Sequence, residues 1–570
     1  MRIIINDKEC WANPGETILT VAEREGIKIP TLCYLKGFSP TGSCRICVVE
    51  VEGQRNLVPS CAFPVAEGMK VLTNSPKVRR ARKTIVELLI ANHPADCLQC
   101  VRNGNCELQT LAAEYGVRSL RYKGDKRSNK QDVASPSLER DPDKCILCGR
   151  CIRICHEVQN VGAIDFAKRG FQTYVTPAFD NSLNTVPCVY CGQCIVNCPV
   201  GALKEKSHEK VVWDAINNPA KHVVVQVAPA VRVALGEEFG MEVGSVVTGK
   251  IVAALRRMGF DTVFDTNFSA DLTIMEEATE LLGRLNNGGT IPMLTSCSPG
   301  WIKYIEHFYP DLLANLSTCK SPHEMQGALI KSFYAQKMGL DPKDIFVVSI
   351  MPCTAKKFEA QRPELGDKYQ DVDAVITTRE LARMIKNAGI DFIRLNDDYF
   401  DDPLGESTGA AVIFGSAGGV MEAALRTAHW ALTGKEMSNI DFRPVRGLDG
   451  VKEADVVIND ISLKVAAVNG LKNINHFLDQ MQAGNSPYHF IEVMACPGGC
   501  INGGGQPLPS DPEKTEKRMQ AIYKIDKEFP KRCSHQNESV QKLYDEFLGE
   551  PNGHLAHELL HTHYVRRDVE

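Results

Sequence analysis

Cysteine spacing constrains this chain more than any other feature. Cys145-x2-Cys148-x2-Cys151-x3-Cys155 is repeated as Cys188-x2-Cys191-x2-Cys194-x3-Cys198-Pro199. In this spacing the fourth Cys of each run ligates the cluster of the other run, so the two segments must fold against each other. The pattern assigns one 4Fe–4S cluster to Cys145, Cys148, Cys151 and Cys198, and a second to Cys188, Cys191, Cys194 and Cys155. Thiolates are soft, anionic donors that suit iron. A pair of zinc knuckles is the alternative, but three cysteines at successive gaps of two rarely serve tetrahedral zinc.

Of the 22 cysteines, 16 lie in the first 198 residues, so the chain divides into a Cys-dense third and a Cys-poor remainder. Tight Cys clusters in a reducing compartment point to metal rather than to disulfides. The opening MRIIINDKEC has no apolar signal segment, and no run of 18 apolar residues follows. The chain therefore reads as cytoplasmic and soluble, with no membrane contact. A net charge of −5 is too small to imply nucleic-acid binding or an acidic tail, and no nucleic-acid partner is expected. At 570 residues several domains are expected.

Two further Cys sets precede the repeat. Cys33-x10-Cys44-x2-Cys47-x13-Cys61 lies among short strands (2–5, 48–53, 69–74) around one helix, a β-grasp pattern. A central C-x2-C within four cysteines suits a 2Fe–2S site, with a zinc ribbon as the alternative. His93-x3-Cys97-x2-Cys100-x5-Cys106 follows a helical pattern over 76–92 and fits either a Cys3His zinc site or a His-ligated 4Fe–4S cluster; spacing does not decide. A polar, basic stretch at 121–135 reads as an exposed linker. The fold class is multidomain α+β and α/β. It comprises a 2Fe–2S ferredoxin-like domain (1–76), a domain carrying the His/Cys3 set (77–125), a bacterial two-4Fe–4S ferredoxin-like domain (126–208) and a large two-lobed α/β domain (209–570).

In that last domain, apolar runs at 223–229, 262–268, 291–297, 345–353, 410–415 and 490–496 alternate with helical patterns. This predicts a mainly parallel sheet with ligands at the strands' carboxyl ends, where Cys297, Cys353 and Cys496 fall.

Three segments there are specific: TSCSPGW (295–301), MPCTAKKFEA (351–360) and EVMACPGGCINGGGQP (492–507). Together they resemble the three signature loops of iron-only (FeFe) hydrogenases, and the resemblance spans essentially the whole chain, matching the clostridial, monomeric, multi-cluster type. It implies an H-cluster, a 4Fe–4S cubane joined through one Cys to a di-iron unit carrying CO, cyanide and an amine dithiolate. It implies that Cys353, Cys496 and Cys500 ligate the cubane, with Cys500 bridging. It makes His93, Cys97, Cys100 and Cys106 a His-ligated 4Fe–4S site, giving one 2Fe–2S and three 4Fe–4S clusters besides the H-cluster. Lys356 would stand beside a cyanide, and Pro229, Met351, Phe414, Gly415 and Met494 would line the di-iron pocket. Implied partners are ferredoxin or flavodoxin, H2 and protons, and di-iron maturation proteins. The implied activity is H2 ⇌ 2 H⁺ + 2 e⁻; an H2 sensor with slow turnover and a non-catalytic iron–sulfur electron-transfer or assembly protein are the alternatives.

One departure stands out. The family usually carries Cys-Cys before Pro-Gly-Trp, the first relaying protons and the second ligating the cubane. Here the pair is Cys297-Ser298, so the resemblance aligns Cys297 with the relay and Ser298 with the ligand. Ala230 is a smaller departure from a Ser. The resemblance also places Cys297, Glu277, Ser317, Glu280 and Arg284 on a proton path; Glu277, Glu280 and Arg284 recur at i, i+3 and i+7, so one helix face can carry them.

Other signals are discounted. His557-Glu558-Leu559-Leu560-His561 matches HExxH, but it lacks a third ligand and reads as a plain C-terminal helix. Cys10, Cys319 and Cys533 have no cluster partners and read as core or surface thiols. The basic run Lys77–Lys83 reads as a solvated helix face.

Overall fold

The computed structural model describes residues 1–366, 368–437, 440–458 and 461–568. The first 76 residues form a five-stranded sheet from β1 (Arg2–Ile5), β2 (Lys8–Trp11), β3 (Val48–Val51), β4 (Val58–Pro59) and β5 (Lys70–Leu72). Its order is β2-β1-β5-β3-β4, with β1 and β5 parallel and the other pairs antiparallel. Alternation in β1 buries Ile3 and Ile5, and the helix Ile18–Arg24 closes the core with Ile18, Leu19, Val21 and Ala22. This is the β-grasp layout expected.

Ser75 caps the next helix, Pro76–Ala91, by accepting from the Val78 N–H, and Pro76 sits where no amide hydrogen is needed. Its basic face corrects the sequence reading at one position. Arg82 is buried, and its Nη2 donates to the Val48 carbonyl at 2.8 Å, tying the helix to β3.

The Cys repeat is also a backbone repeat. The helices Arg150–Arg153 and Gln193–Val196 each follow a glycine at φ 70°, ψ 6° (Gly149 and Gly192), and Leu147 and Tyr190 both adopt positive φ. Short antiparallel pairs frame them: β6 (Leu138–Arg140) with the later β9 (Leu203–Glu205), and β7 (Asp165–Ala167) with β8 (Tyr174–Thr176).

The remainder holds two four-stranded sheets. One is β11-β10-β13-β14, all parallel, from β10 (His222–Val227), β11 (Thr262–Asp265), β13 (Ile345–Met351) and β14 (Ala374–Thr377). The other is β12-β17-β16-β15, from β12 (Met293–Leu294), β15 (Val451–Ile458), β16 (Ile461–Asn469) and β17 (Phe490–Met494), antiparallel only at β15–β16. The parallel strands are covered on both faces, so they read as unbroken apolar runs.

Two of those runs are corrected. Residues 410–415 are helical (Gly409–Val412, then a tight turn Ile413–Gly415), because a short apolar run buried on every side carries no periodicity to separate helix from strand. The run at 262–268 stops being a strand at Asp265, whose carboxylate accepts from the Asn267 N–H and starts the helix Thr266–Asn287.

Candidate active site and metal centres

The tertiary fold sorts the Cys repeat into two apolar cavities. Cys145, Cys148, Cys151 and Cys198 line one; Cys155, Cys188, Cys191 and Cys194 line the other. This is the crossed partition required by the spacing. In the first domain the Cys33 thiol faces Cys44 and Cys61, and the Cys47 and Cys61 sulfurs lie 3.4 Å apart. His93 Nδ1 is 3.0 Å from the Pro94 carbonyl, while its Nε2 is buried without a protein partner. An orphaned imidazole nitrogen whose other nitrogen is fixed by the backbone is the form a ligand takes. Cys106 is near Cys100, and Cys97 is exposed.

The remaining centre lies where three apolar cores meet. Cys297 and Cys500 pack on the core around β16–β17 and the helix Thr266–Asn287. Cys353 packs on the ferredoxin-like core, and Cys191 on the core under Trp301. Cys297 stands three residues past β12, Cys353 two past β13 and Cys496 two past β17, as the carboxyl-end rule anticipates. A cavity is lined by Pro229, Met351, Phe414, Met494, Cys297, Cys353, Lys356 and Cys500. Gly415 lies one layer back, where a Cβ would meet Ile522 and Ala230 at 3.1 and 3.5 Å. Burial pushes the Cys500 thiol up to about 12 and raises Cys353 and Cys496. Holding these sulfurs as thiolates therefore requires cationic metal, so the donor set fits an iron cluster.

Two glycines close the gap to the ferredoxin-like domain. A Cβ on Gly504 would lie 2.4 Å from the Cys191 carbonyl oxygen and 2.7 Å from Gly192 Cα. The loop carrying Cys500 and the loop carrying Cys191 thus meet backbone to backbone.

Cys297 and Ser298 face different ways. Cys297 lines the cavity, with Glu277 and Cys500 near its sulfur; burial, then the Glu277 charge, raises its pKa far above that of an ordinary thiol. Ser298 Oγ accepts from the Ala495 N–H at 3.2 Å, beside Cys496.

Lys356 is buried and donates to Glu359 Oε2 at 2.6 Å and to the Cys297 carbonyl at 3.2 Å. Burial opposes its charge, but Glu359 outweighs burial and keeps it protonated. Glu359 also meets His323 Nε2 at 2.6 Å, and His323 lines the cavity. Sequence reading missed this pair. The i, i+3 spacing of Lys356 and Glu359 was the available signal for the first contact; nothing in the sequence links His323 to it.

The five residues of the proposed proton path are brought together. Glu277 is buried on the helix Thr266–Asn287; burial, then the Glu280 charge, pushes its pKa up to about 8, and the Ser317 hydroxyl faces it. Ser317 Oγ donates to Glu280 Oε2 at 2.9 Å, and Arg284 Nη2 donates to Glu280 Oε1 at 2.6 Å. Glu280 and Arg284 keep 11% and 13% of their side chains exposed, so the line ends at solvent. Thr318 N–H also donates to Glu280, and the Cys319 thiol is 4.0 Å from it, neither of which was anticipated.

The HExxH signal does not form a metal site. The helix is His554–Leu560; His557 is exposed, whereas His561 is buried against Thr318 (2.7 Å) and Glu276 (3.1 Å).

Residues 221–504 match the family described as iron only hydrogenase large subunit, C-terminal domain, and 512–567 match iron hydrogenase small subunit. Residues 1–76 match a 2Fe-2S iron-sulfur cluster binding domain, and 82–121 the NADH-ubiquinone oxidoreductase-G iron-sulfur binding region. Residues 135–204 match the NADH-quinone oxidoreductase subunit 3 ferredoxin-like domain. The chain is 51% identical to the NADP-reducing hydrogenase subunit HndD of Solidesulfovibrio fructosivorans, covering 100% of this chain and 99% of that one. It is 45% identical to iron hydrogenase 1 of Clostridium pasteurianum, over 99% and 100% of the two chains. A solved structure of apo FeFe-hydrogenase HydA1 from Chlamydomonas reinhardtii is 44% identical, with a TM-score of 0.58 over 63% of this chain and 99% of that one. No helix among the described residues is long and apolar enough to cross a membrane. The chain belongs to the iron-only (FeFe) hydrogenase family, in its clostridial multi-cluster form.

Proposed function

We propose that the chain catalyses H2 ⇌ 2 H⁺ + 2 e⁻ and exchanges the electrons with ferredoxin or flavodoxin. The observation that carries this reading is one cavity that joins a cluster-type Cys set (Cys353, Cys500) to a buried acid line reaching solvent (Cys297, Glu277, Ser317, Glu280, Arg284). An electron-transfer or assembly protein without H2 chemistry has no use for that line.

Bound there, the H-cluster supplies a two-electron metal centre with a pendant base that splits or forms H2. Cys353, Cys496, Cys500 and Ser298 would hold the cubane. Lys356, fixed by Glu359, offers a cation to the cavity, while Pro229, Met351, Phe414 and Met494 exclude water. Cys297 stays a protonated thiol and passes protons to and from Glu277. With a pKa near 8, Glu277 exchanges protons readily at neutral pH. Ser317 connects it to Glu280, and Arg284 holds the Glu280 carboxylate in place at the exit through its 2.6 Å hydrogen bond.

The remaining Cys sets would hold one 2Fe–2S and three 4Fe–4S clusters, with electrons entering at the N-terminal domains and reaching the cubane across Cys191. Domain boundaries near 76, 125 and 208 follow from these cluster sets. Infrared bands from CO and cyanide, together with H2 evolution from reduced methyl viologen, test the reading. Bands with fast turnover support it; bands with trace turnover indicate a sensor, and no bands after maturation overturn it.

A further inference from the structure

Cys533 belongs neither to the cluster sets nor to the proton line. Its thiol is fully buried, 3.5 Å from Glu436 Oε2. The same carboxylate receives His535 Nε2 at 2.9 Å on Oε1. One donor atom from each of the three residues lies within 4.8 Å of the other two. The His535–Glu436 contact accounts for two of them but leaves a weak thiol donor aimed at the same carboxylate.

We infer that Cys533, His535 and Glu436 form a divalent-metal site of the zinc class, separate from the catalytic cavity. Zinc takes mixed S, N and O donors at about 2.3, 2.0 and 2.1 Å, which sets tetrahedral edges of about 3.3–3.6 Å. His535 Nε2 and Cys533 Sγ lie 2.9 and 3.5 Å from the two oxygens of the Glu436 carboxylate, and one donor atom of each residue lies within 4.8 Å of the others, so movements of about 1 Å bring the set to those edges. A short turn (Ser534–Gln536) puts Cys533 and His535 on one side, and Glu436 arrives from the segment after the helix Gly419–Thr433.

Outer contacts already orient these donors. Trp430 stacks on His535 with centroids 4.4 Å apart and planes 6° apart. His535 Nδ1 is 3.4 Å from Thr427 Oγ1; donating there from Nδ1 leaves Nε2 free to ligate. Gln536 Nε2 donates to Glu436 Oε1 at 3.0 Å. Glu436, with 51% of its side chain exposed, is the entry side, and a water completes the fourth position. Binding displaces the thiol proton as the cation enters, and His535 ligates as a neutral imidazole through Nε2. The metal would clamp the C-terminal segment to the helix Gly419–Thr433.

The test uses the cluster-loaded holoenzyme, whose cluster-ligating thiols are occupied, dialysed against Zn²⁺ alone and analysed for zinc. One zinc per chain is expected in the wild type, with affinity at least tenfold weaker in Glu436→Gln and the zinc lost in Cys533→Ser. Zinc-edge X-ray absorption should show one sulfur neighbour at about 2.3 Å. Turnover and the CO and cyanide bands should not change in Glu436→Gln, an exposed substitution that leaves the fold in place. Equal zinc binding by all three proteins, no zinc on the wild type, or zinc with only oxygen and nitrogen neighbours overturns the assignment.

Discussion

The Ser298 hydroxyl oxygen accepts a hydrogen bond from the Ala495 N–H at 3.2 Å, and Ala495 immediately precedes Cys496. Ser298 therefore lies on the Cys496 side of the centre, whereas its neighbour Cys297 faces Glu277 and the cavity. A hydroxyl donates poorly to iron, and an alkoxide holds more localised charge than a thiolate. Ser298→Cys should raise the cubane potential and improve H-cluster retention. Cys297→Ala should abolish turnover but keep the cubane. EPR and iron analysis check both; loss of the cubane in Cys297→Ala would show that Cys297 is the ligand.

Glu277→Gln preserves size but cannot exchange a proton. Turnover should fall by about 10²-fold or more, the general acid–base contribution, with infrared bands nearly unchanged. Unaltered turnover would mean another proton route.

The same variant gives a stability test. The pKa of Glu277 is raised by burial to about 8, so the folded state resists its ionisation. Its contribution is fully present below the unfolded value near 4.5 and is lost as pH rises towards 8. Across that window the wild type should lose stability relative to Glu277→Gln. Denaturant midpoints at pH 5 and pH 8.5 measure the difference, and parallel pH profiles for both proteins refute the burial argument.

The proposed cluster set predicts about 20 iron atoms per fully loaded chain, and about 18 when maturation of the di-iron unit is withheld. His93→Ala removes the orphaned Nε2 donor and should lower the count by about four, or leave that cluster labile. Zinc retained at His93, Cys97, Cys100 and Cys106 in anaerobically reconstituted protein would contradict this assignment.

Gly504→Ala pushes a methyl into the Cys191 carbonyl. Overpacking of this kind costs about 1–3 kcal/mol. Separation of the two loops should slow cubane reduction in stopped-flow experiments with pre-reduced N-terminal clusters. Wild-type kinetics would show that the contact does not set the electron-transfer distance.

The sequence alone determined much of the chemistry, because ligand identity and short-range spacing are local properties. The partition of Cys145–Cys198 into two crossed clusters followed from gap lengths, and the β-grasp domain followed from alternation and turns. The i, i+3, i+7 spacing of Glu277, Glu280 and Arg284 defined a helix face, but not whether that face is wet. Tertiary packing buried its Glu277 end and left Glu280 and Arg284 at the solvent edge, and burial is what moves Glu277 towards neutral pH. Packing also made residues 410–415 helical, drew Arg82 out of a basic face and placed His323 against Glu359 across 36 positions. The division of labour between Cys297 and Ser298 is tertiary as well. Adjacent side chains diverge, and the cavity lies on one side while Ala495 lies on the other. Spacing encodes which atoms can bind a metal; only the packed chain fixes the dielectric and the direction each of them faces.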